Sequence, residues 1–274
     1  MADTTGKNLA LLTEYDGSAF SGWQIQSHQR TVQAVLRDAI RRLTREEPRL
    51  VGCSRTDAGV HAKGHVSSFH TSSRIPTDRW PLALNSVLPP DISVRAAAVV
   101  PDAFNARRDA RGKIYSYSIY RPAARPAILR RTCAHVPGRL DLDAMAAALP
   151  LLLGRHDFRA FCDAGSPALT TTRTIKALRL MTRGPMLTLY VQGDGFLYHM
   201  IRILAGTLLA VASGKLTGEE ITAIMESGDR RRAGKTMPPE GLCLEHVLYQ
   251  PAVFGSWRDP VKEEGEWDVH VALE

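Results

Sequence analysis

The stretch Gly52-Cys53-Ser54-Arg55-Thr56-Asp57-Ala58-Gly59-Val60-His61 follows an apolar run that ends at Val51, and a second apolar run, Val66 to Phe69, leaves on its far side. Two glycines bracket Arg, Thr and Asp. Glycine breaks helices, and Thr and Asp side chains bond their own backbone in place of a ladder. The decamer therefore reads as a loop between strands, where reactive side chains are commonly displayed. Asp57 is its one carboxylate, and Arg55 stands two positions earlier. An Arg beside an Asp favours the ionised acid, which suits a nucleophile better than a proton donor. On composition alone, an Asp flanked by glycine is usually a turn former.

Working outward, Asn8 to Tyr15 reads as a buried strand closed by the Asp16-Gly17 turn signal. A small-residue loop from Ser18 to Gln24 carries Phe20 and Trp23, expected to be exposed or half exposed. Val32, Val35, Leu36, Ala39, Ile40 and Leu43 repeat at helical spacing, with Thr31 as the expected N-cap. Arg49 to Cys53 and His65 to His70 are strands on either side of the loop. A helix over Asp78 to Val87, with Pro81 in its first turn, and a strand over Ile92 to Val100 complete the half.

Beyond a crossing at Pro101 to Ala106, Lys113 to Arg121 alternates with period two, and Asp141 to Leu153 is helical up to a break at Pro150. Phe158 to Cys162 is a short strand or loop. Arg173 to Thr182 and Met186 to Gln192 form a hairpin across Gly184-Pro185. Helices follow over Leu197 to Ala212 and Thr217 to Ser227, the latter with Glu219 and Glu220 in its first turn, then a strand over Leu242 to Tyr249. The second half echoes the first in order though not in sequence. Alternating elements with hairpins and no doubly wound run predict an α+β fold with a mostly antiparallel sheet. The expected divisions are 1–104, 105–250 and an acidic, weakly ordered tail over 251–274.

The 274 residues are 44% hydrophobic with a formal net charge of +7 and a pI near 9.4, so one large or two modest cores are possible and an anionic partner is indicated. Between Asn105 and His135 eight basic residues stand against Asp109 alone. Tyr115, Tyr117 and Tyr120 interleave with them, which favours contact with nucleic-acid phosphates. Arg230-Arg231-Arg232 with Lys235 is a second basic cluster, read equally well as a solvated face. Cys53, Cys133, Cys162 and Cys243 lie far apart, as in a reducing cytoplasm. No signal peptide or membrane-length apolar run is read, so a cytoplasmic location is expected.

A metal could be imagined on Asp57, His61 and His65, spaced by four, but Gly59 and Gly64 oppose a helix there. No G-x-S-x-G elbow, no Walker lysine near Gly193-Asp194-Gly195 and no second acid beside Asp57 support hydrolase or nucleotide chemistry. The remaining inventory of one carboxylate, an Arg, tyrosines and a basic surface suits chemistry on a flipped nucleic-acid base, with no cofactor.

Arg55-Thr56-Asp57-Ala58-Gly59-Val60-His61 resembles the catalytic signature of the bacterial tRNA pseudouridine synthase A family. Glu14-Tyr15-Asp16-Gly17-Ser18 with Gly22-Trp23-Gln24 is similar to its first motif, and Lys113-Ile114-Tyr115-Ser116-Tyr117 to its K-x-Y-x-Y strand. Phe196-Leu197-Tyr198-His199-Met200-Ile201-Arg202 resembles its F-L-x-x-M-V-R entry to a helix, and Pro238-Pro239-Glu240-Gly241-Leu242-Cys243-Leu244 its closing P-P-E-G-L-x-L. The resemblance implies two ferredoxin-like halves facing a central basic cleft, and a homodimer that isomerises uridines at positions 38 to 40 in the anticodon stem-loop of tRNA. It makes Asp57 the nucleophile, Tyr115 the ring under the uracil and a possible base for the C5 proton. It gives Arg202 as the partner of Asp57, Arg55 as a loop or base-region contact and Leu244 as an apolar wall. His65, Ile203 and Met237 depart from the family's usual Gln, Asn and Ala. Another structured RNA as substrate, or RNA binding without catalysis, are the alternative readings.

Overall fold

The computed structural model describes residues 6–254 and 269–272, and divides into two compact units: residues 1–111 with 244–258, and 112–243 with 259–274. The first unit runs β1 (Lys7–Tyr15), α1 (Val32–Thr44), β2 (Val51–Gly52), β3 (His61–Thr71), α2 (Trp80–Asn85) and β4 (Ile92–Val100). β1 is central: Leu9 stands opposite Phe69 of β3 on one side and Val99 of β4 on the other, both antiparallel, and β2 pairs with β3. That is a β-α-β-β-α-β chain in the spatial order 2-3-1-4, the ferredoxin-like arrangement. β1 is buried at every position from Asn8 to Thr13, which is why its sequence shows an apolar run without alternation.

Several boundaries move for identifiable reasons. β3 begins at His61, four residues earlier than expected, because Ala62 already pairs with Tyr15; a bulge between Thr13 and Tyr15 absorbs the register change. α1 buries Val32, Leu36, Ala39 and Ile40, spaced as one helical face. Thr31 occupies its N-cap position, but the hydroxyl makes no capping hydrogen bond. The expected second helix is a 3-10 turn at Thr77–Arg79 followed by α2, with Pro81 in the first turn. Phe20 and Trp23, expected at the surface, are buried.

The second unit contains β5 (Gly112–Tyr120), β6 (Ala134–His135), α3 (Leu142–Ala148), β7 (Gly154–Asp157), β8 (Thr172–Arg183), β9 (Met186–Gly193), α4 (Met200–Ala212), α5 (Gly218–Ser227), the start of β10 (Leu242–Leu248) and β11 (Val269–Ala272). From Leu244 onward the residues of β10 belong to the first unit. Antiparallel pairing places β9 between β8 and β5, with Leu180 opposite Leu189 and Tyr115 opposite Val191. This repeats the 2-3-1 order of the first unit. β7 joins β8 antiparallel and β6 joins β5 in parallel.

β5 is buried on both faces over Ile114 to Tyr117, so its period-two pattern separates two covered surfaces. α3 is capped by the Asp141 carboxylate, which accepts from Ala144 N–H, and ends before Pro150 in a 3-10 turn at Leu149–Leu152. Arg159–Phe161 is likewise a 3-10 turn. α4 is buried around almost its whole circumference, and α5 opens on a reciprocal Thr217–Glu220 capping box. The tail reading is corrected at its end: Val269–Ala272 pairs with β8, Val271 facing Leu178. Residues 255–268 of that tail lie outside the described residues. Among the described residues no helix is long and apolar enough to cross a membrane.

Candidate active site

The Asp57 loop is held by the preceding loop, backbone to backbone. Trp23 N–H donates to the Thr56 carbonyl at 3.1 Å, and Gly59 N–H to the Phe20 carbonyl at 3.2 Å. The hydroxyls of Tyr15 and Thr56 share a buried hydrogen bond of 2.8 Å. Within the loop, Val60 N–H donates to the Asp57 carbonyl at 3.2 Å, with Gly59 at φ 79°, the positive φ that a type II turn needs at its third residue. Asp57 is thus a turn former through its carbonyl, and its side chain is half buried. A neutral buried group left without a partner costs about 1–3 kcal/mol, so these closed bonds fix the loop's conformation.

Two glycines allow so close an approach. Gly22 has φ 88°, and a Cβ there would come within 2.6 Å of the Thr56 carbonyl oxygen. A Cβ on Gly52 would lie 2.5 Å from the Trp23 indole, whose ring lies directly over that backbone. Trp23 also stacks on His65, with ring centroids 3.6 Å apart and planes inclined by 24°. His65 Nε2 lies 3.1 Å from the Ser54 carbonyl, which can only accept, so Nε2 carries the proton. The departure from the family's usual Gln is therefore a ring that fastens the start of the loop.

His61 is also committed. Its Nδ1 accepts from Gly17 N–H at 3.0 Å, so the 3.3 Å approach to the Asp16 carboxylate through the same nitrogen is not an ion pair. Among the described residues no His, Cys, Asp and Glu group is arranged to hold a metal ion.

The first unit holds three of the sequence-assigned residues. Asp57 is half buried; Leu244 is fully buried; Arg55 is exposed and its side chain makes no ion pair with Asp57 among the described residues. The second unit holds Tyr115 and Arg202. Tyr115 lies on β5 with its ring edge-on to Phe196, centroids 5.4 Å apart. Arg202, on the first turn of α4, donates through Nε to the Met237 carbonyl at 2.6 Å.

Sequence reasoning missed the network around Asp163. Its Oδ2 accepts from Thr236 Oγ1 at 2.8 Å and meets His199 Nδ1 at 2.7 Å, while Oδ1 accepts from Arg230 Nε at 2.7 Å. Partial burial alone would raise this carboxyl, but the three donors prevail and hold its pKa at about 2. The network fastens His199, strained at φ 60° just before α4, to the segment that bonds Arg202. Of the Arg230-Arg231-Arg232 run only Arg230 is so used; exposed Arg231 pairs with half-buried Asp229. The signal was present as a positive run with one Asp, but nothing local distinguishes its first arginine. Tyr117 donates its hydroxyl to the Pro238 carbonyl at 2.8 Å, and burial, with Glu240 nearby and Arg202 opposing, pushes that phenol well above its ordinary range. The closing Pro-Pro-Glu-Gly motif is therefore joined to β5 in the same unit.

Comparison with known proteins agrees with this arrangement of motifs. A family model described as tRNA pseudouridine synthase matches residues 11–108 and 148–250. The chain is 48% identical over 243 residues to the tRNA pseudouridine synthase A of Caldicellulosiruptor bescii, covering 89% of this chain and 100% of the relative. It is 47% identical to that of Moorella thermoacetica (88% and 99% covered) and 46% identical to that of Caldicellulosiruptor saccharolyticus (89% and 100%). With the family model spanning most of the chain and such relatives aligned along nearly their whole length, this chain belongs to the tRNA pseudouridine synthase family.

Proposed function

We propose that this protein isomerises uridine to pseudouridine in tRNA, within the anticodon stem-loop at positions 38 to 40, with Asp57 as the nucleophile. The supporting observation is the Asp57 loop itself: its one carboxylate stands in a loop held by Tyr15 through the Thr56 hydroxyl and by Phe20 and Trp23 through the backbone. A nucleophile needs such fixed placement, because orientation supplies much of the rate. In this reading the carboxylate takes C1′ as the N1–C1′ bond breaks, with the electron pair going to the uracil. The uracil turns, C5 bonds C1′ as the carboxylate leaves, the C5 proton is lost and N1 gains one. Nothing is oxidised or reduced and no cofactor is consumed.

Tyr115 is assigned the stacking of the extruded uracil, Arg202 the cation for the reacting groups, Arg55 a contact to RNA and Leu244 an apolar wall. The protein is assigned a homodimeric state and a cytoplasmic location. The test is tritium release from tRNA labelled at C5 of uridine. Wild type is expected to release it and Asp57→Asn to lose release while keeping its fold and tRNA affinity. Undiminished release by Asp57→Asn would remove Asp57 from the mechanism. The absence of release by the wild type from any tRNA would remove the reaction.

A further inference from the structure

We infer that the loop Arg121–Arg131 of the second unit is a docking arm for the tRNA phosphate backbone at a distance from the target uridine, with Ile128 as its apolar contact. This inference rests on tRNA being the substrate. The loop contains Arg121, Arg125, Arg130 and Arg131, and no Asp or Glu occurs anywhere between Asp109 and Asp141. Arg125, Arg130 and Arg131 are exposed, and among the described residues none of them forms an ion pair. Elsewhere exposed arginines do pair: Arg41 with Glu47 and Arg108 with Asp109. A concentrated, unneutralised positive surface is the electrostatic footprint of polyanion binding.

The loop is built to hold its shape. His135 Nε2 donates to the Pro122 carbonyl at 2.8 Å, closing the base of the loop, and Arg121 NH2 donates to the Gly184 carbonyl at 2.9 Å. At the far end Arg130 donates to the Ala127 carbonyl, and Cys133 Sγ to that of Leu129 at 3.2 Å. Between these anchors Ile128 stands 91% exposed at the start of the 3-10 turn Leu129–Arg131, with Arg125 before it and Arg130 and Arg131 after it. A large apolar side chain on a basic loop matches the way proteins set apolar groups against bases and riboses while arginines hold the phosphates.

Position along β5 gives the inference its kinetic form. Arg121 follows Tyr115 by six residues on or just past that strand, about 20 Å at roughly 3.3 Å per residue. The arm therefore touches RNA several nucleotides from the reacting base. It contributes to binding and not to the chemical step.

The experiment measures binding of unmodified tRNA across salt concentrations, together with kcat and KM from tritium release, for wild type and for Arg125→Ala/Arg131→Ala. Neither arginine makes an internal bond among the described residues, so the fold is expected to be untouched. Each lost phosphate contact should reduce the slope of log affinity against log salt by about 0.7–0.9, and the pair should raise KM on the order of tenfold with kcat unchanged. Arg42→Ala/Arg45→Ala, which removes the same charge from the α1 end, serves as the control. An equal loss in that control would mean a general positive field and overturn the arm, as would an unaltered slope in the loop variant. Ile128→Trp provides an independent reading: its fluorescence should be quenched by tRNA, and an emission indifferent to tRNA would overturn the apolar contact. If wild type released no tritium, the proposed reaction would fail while the salt slopes still decided the arm.

Discussion

Tyr15 and Thr56, 41 residues apart in the chain, meet hydroxyl to hydroxyl at 2.8 Å in a buried position, so that the last residue of β1 holds the residue immediately before Asp57. Tyr15→Phe should lower stability by about 1–2 kcal/mol, because the Thr56 hydroxyl is left without its partner. Thr56→Val in that background should recover part of the loss, since no orphaned group then remains. Urea unfolding of the two single variants and the double variant measures this; strict additivity of the two losses would contradict it. Tritium release should fall through kcat in Tyr15→Phe, as the loop carrying Asp57 loosens.

Gly52→Ala should be far more damaging than an exposed Gly→Ala change. Its Cβ would be driven to 2.5 Å from the Trp23 indole, and overpacking of this kind costs about 1–3 kcal/mol. Trp23→Leu should relieve the clash in a Gly52→Ala background while lowering activity, because it also removes the ring on which His65 stacks. Thermal melting and tritium release on the same preparations separate the two effects.

The Asp163 carboxyl makes acid stability a direct test of its network. Its folded pKa, about 2, lies below the ordinary carboxylate value of 3.8, so its contribution is present above about pH 4 and is lost as pH falls toward 2. Allowing for its partial exposure, that contribution is about 1–2 kcal/mol. Asp163→Asn should therefore be less stable than wild type at pH 7, with the two unfolding curves converging near pH 2. A gap that persists unchanged to pH 2 would show that the charge is not what is lost.

Arg230 and its neighbours should part company. Arg230→Lys keeps the charge but loses the fork that reaches Asp163, Gly234 and Thr236 together, and should cost about 1–2 kcal/mol. Arg231→Ala and Arg232→Ala, both at exposed positions, should fall within about 0.5 kcal/mol of wild type. Chemical unfolding midpoints decide between this and a run of three equivalent surface arginines.

The long elements were legible because burial imposed a period on them: β1 as an apolar run, α1 through Leu36 and Ile40, β8 and β9 through their hairpin. The two-residue strand β6 and the four-residue strands β7 and β11 were not, because so short a segment is a strand only by virtue of its partner. Trp23 and Phe20 were misplaced because small polar neighbours mark a loop without saying which ring it buries. The decamer was legible as a loop because its glycines and its Thr and Asp oppose a regular element, and its turn at Asp57–Val60 bears that out. Asp163 was invisible for a further reason: its partners come from two parts of the chain far from it, His199 and the segment from Arg230 to Thr236.

The cradle around the decamer also bears on transplanting it. Gly52 supports an indole that arrives from Trp23, Thr56 is held by a phenol from Tyr15, and Ser54 is held by an imidazole from His65. A graft of residues 52–61 into a foreign scaffold would carry the Asp57 carboxylate but none of these contacts that hold its loop. The smallest portable unit is the decamer together with β1's end, the loop through Trp23 and the first turns of β3, moved as a single piece.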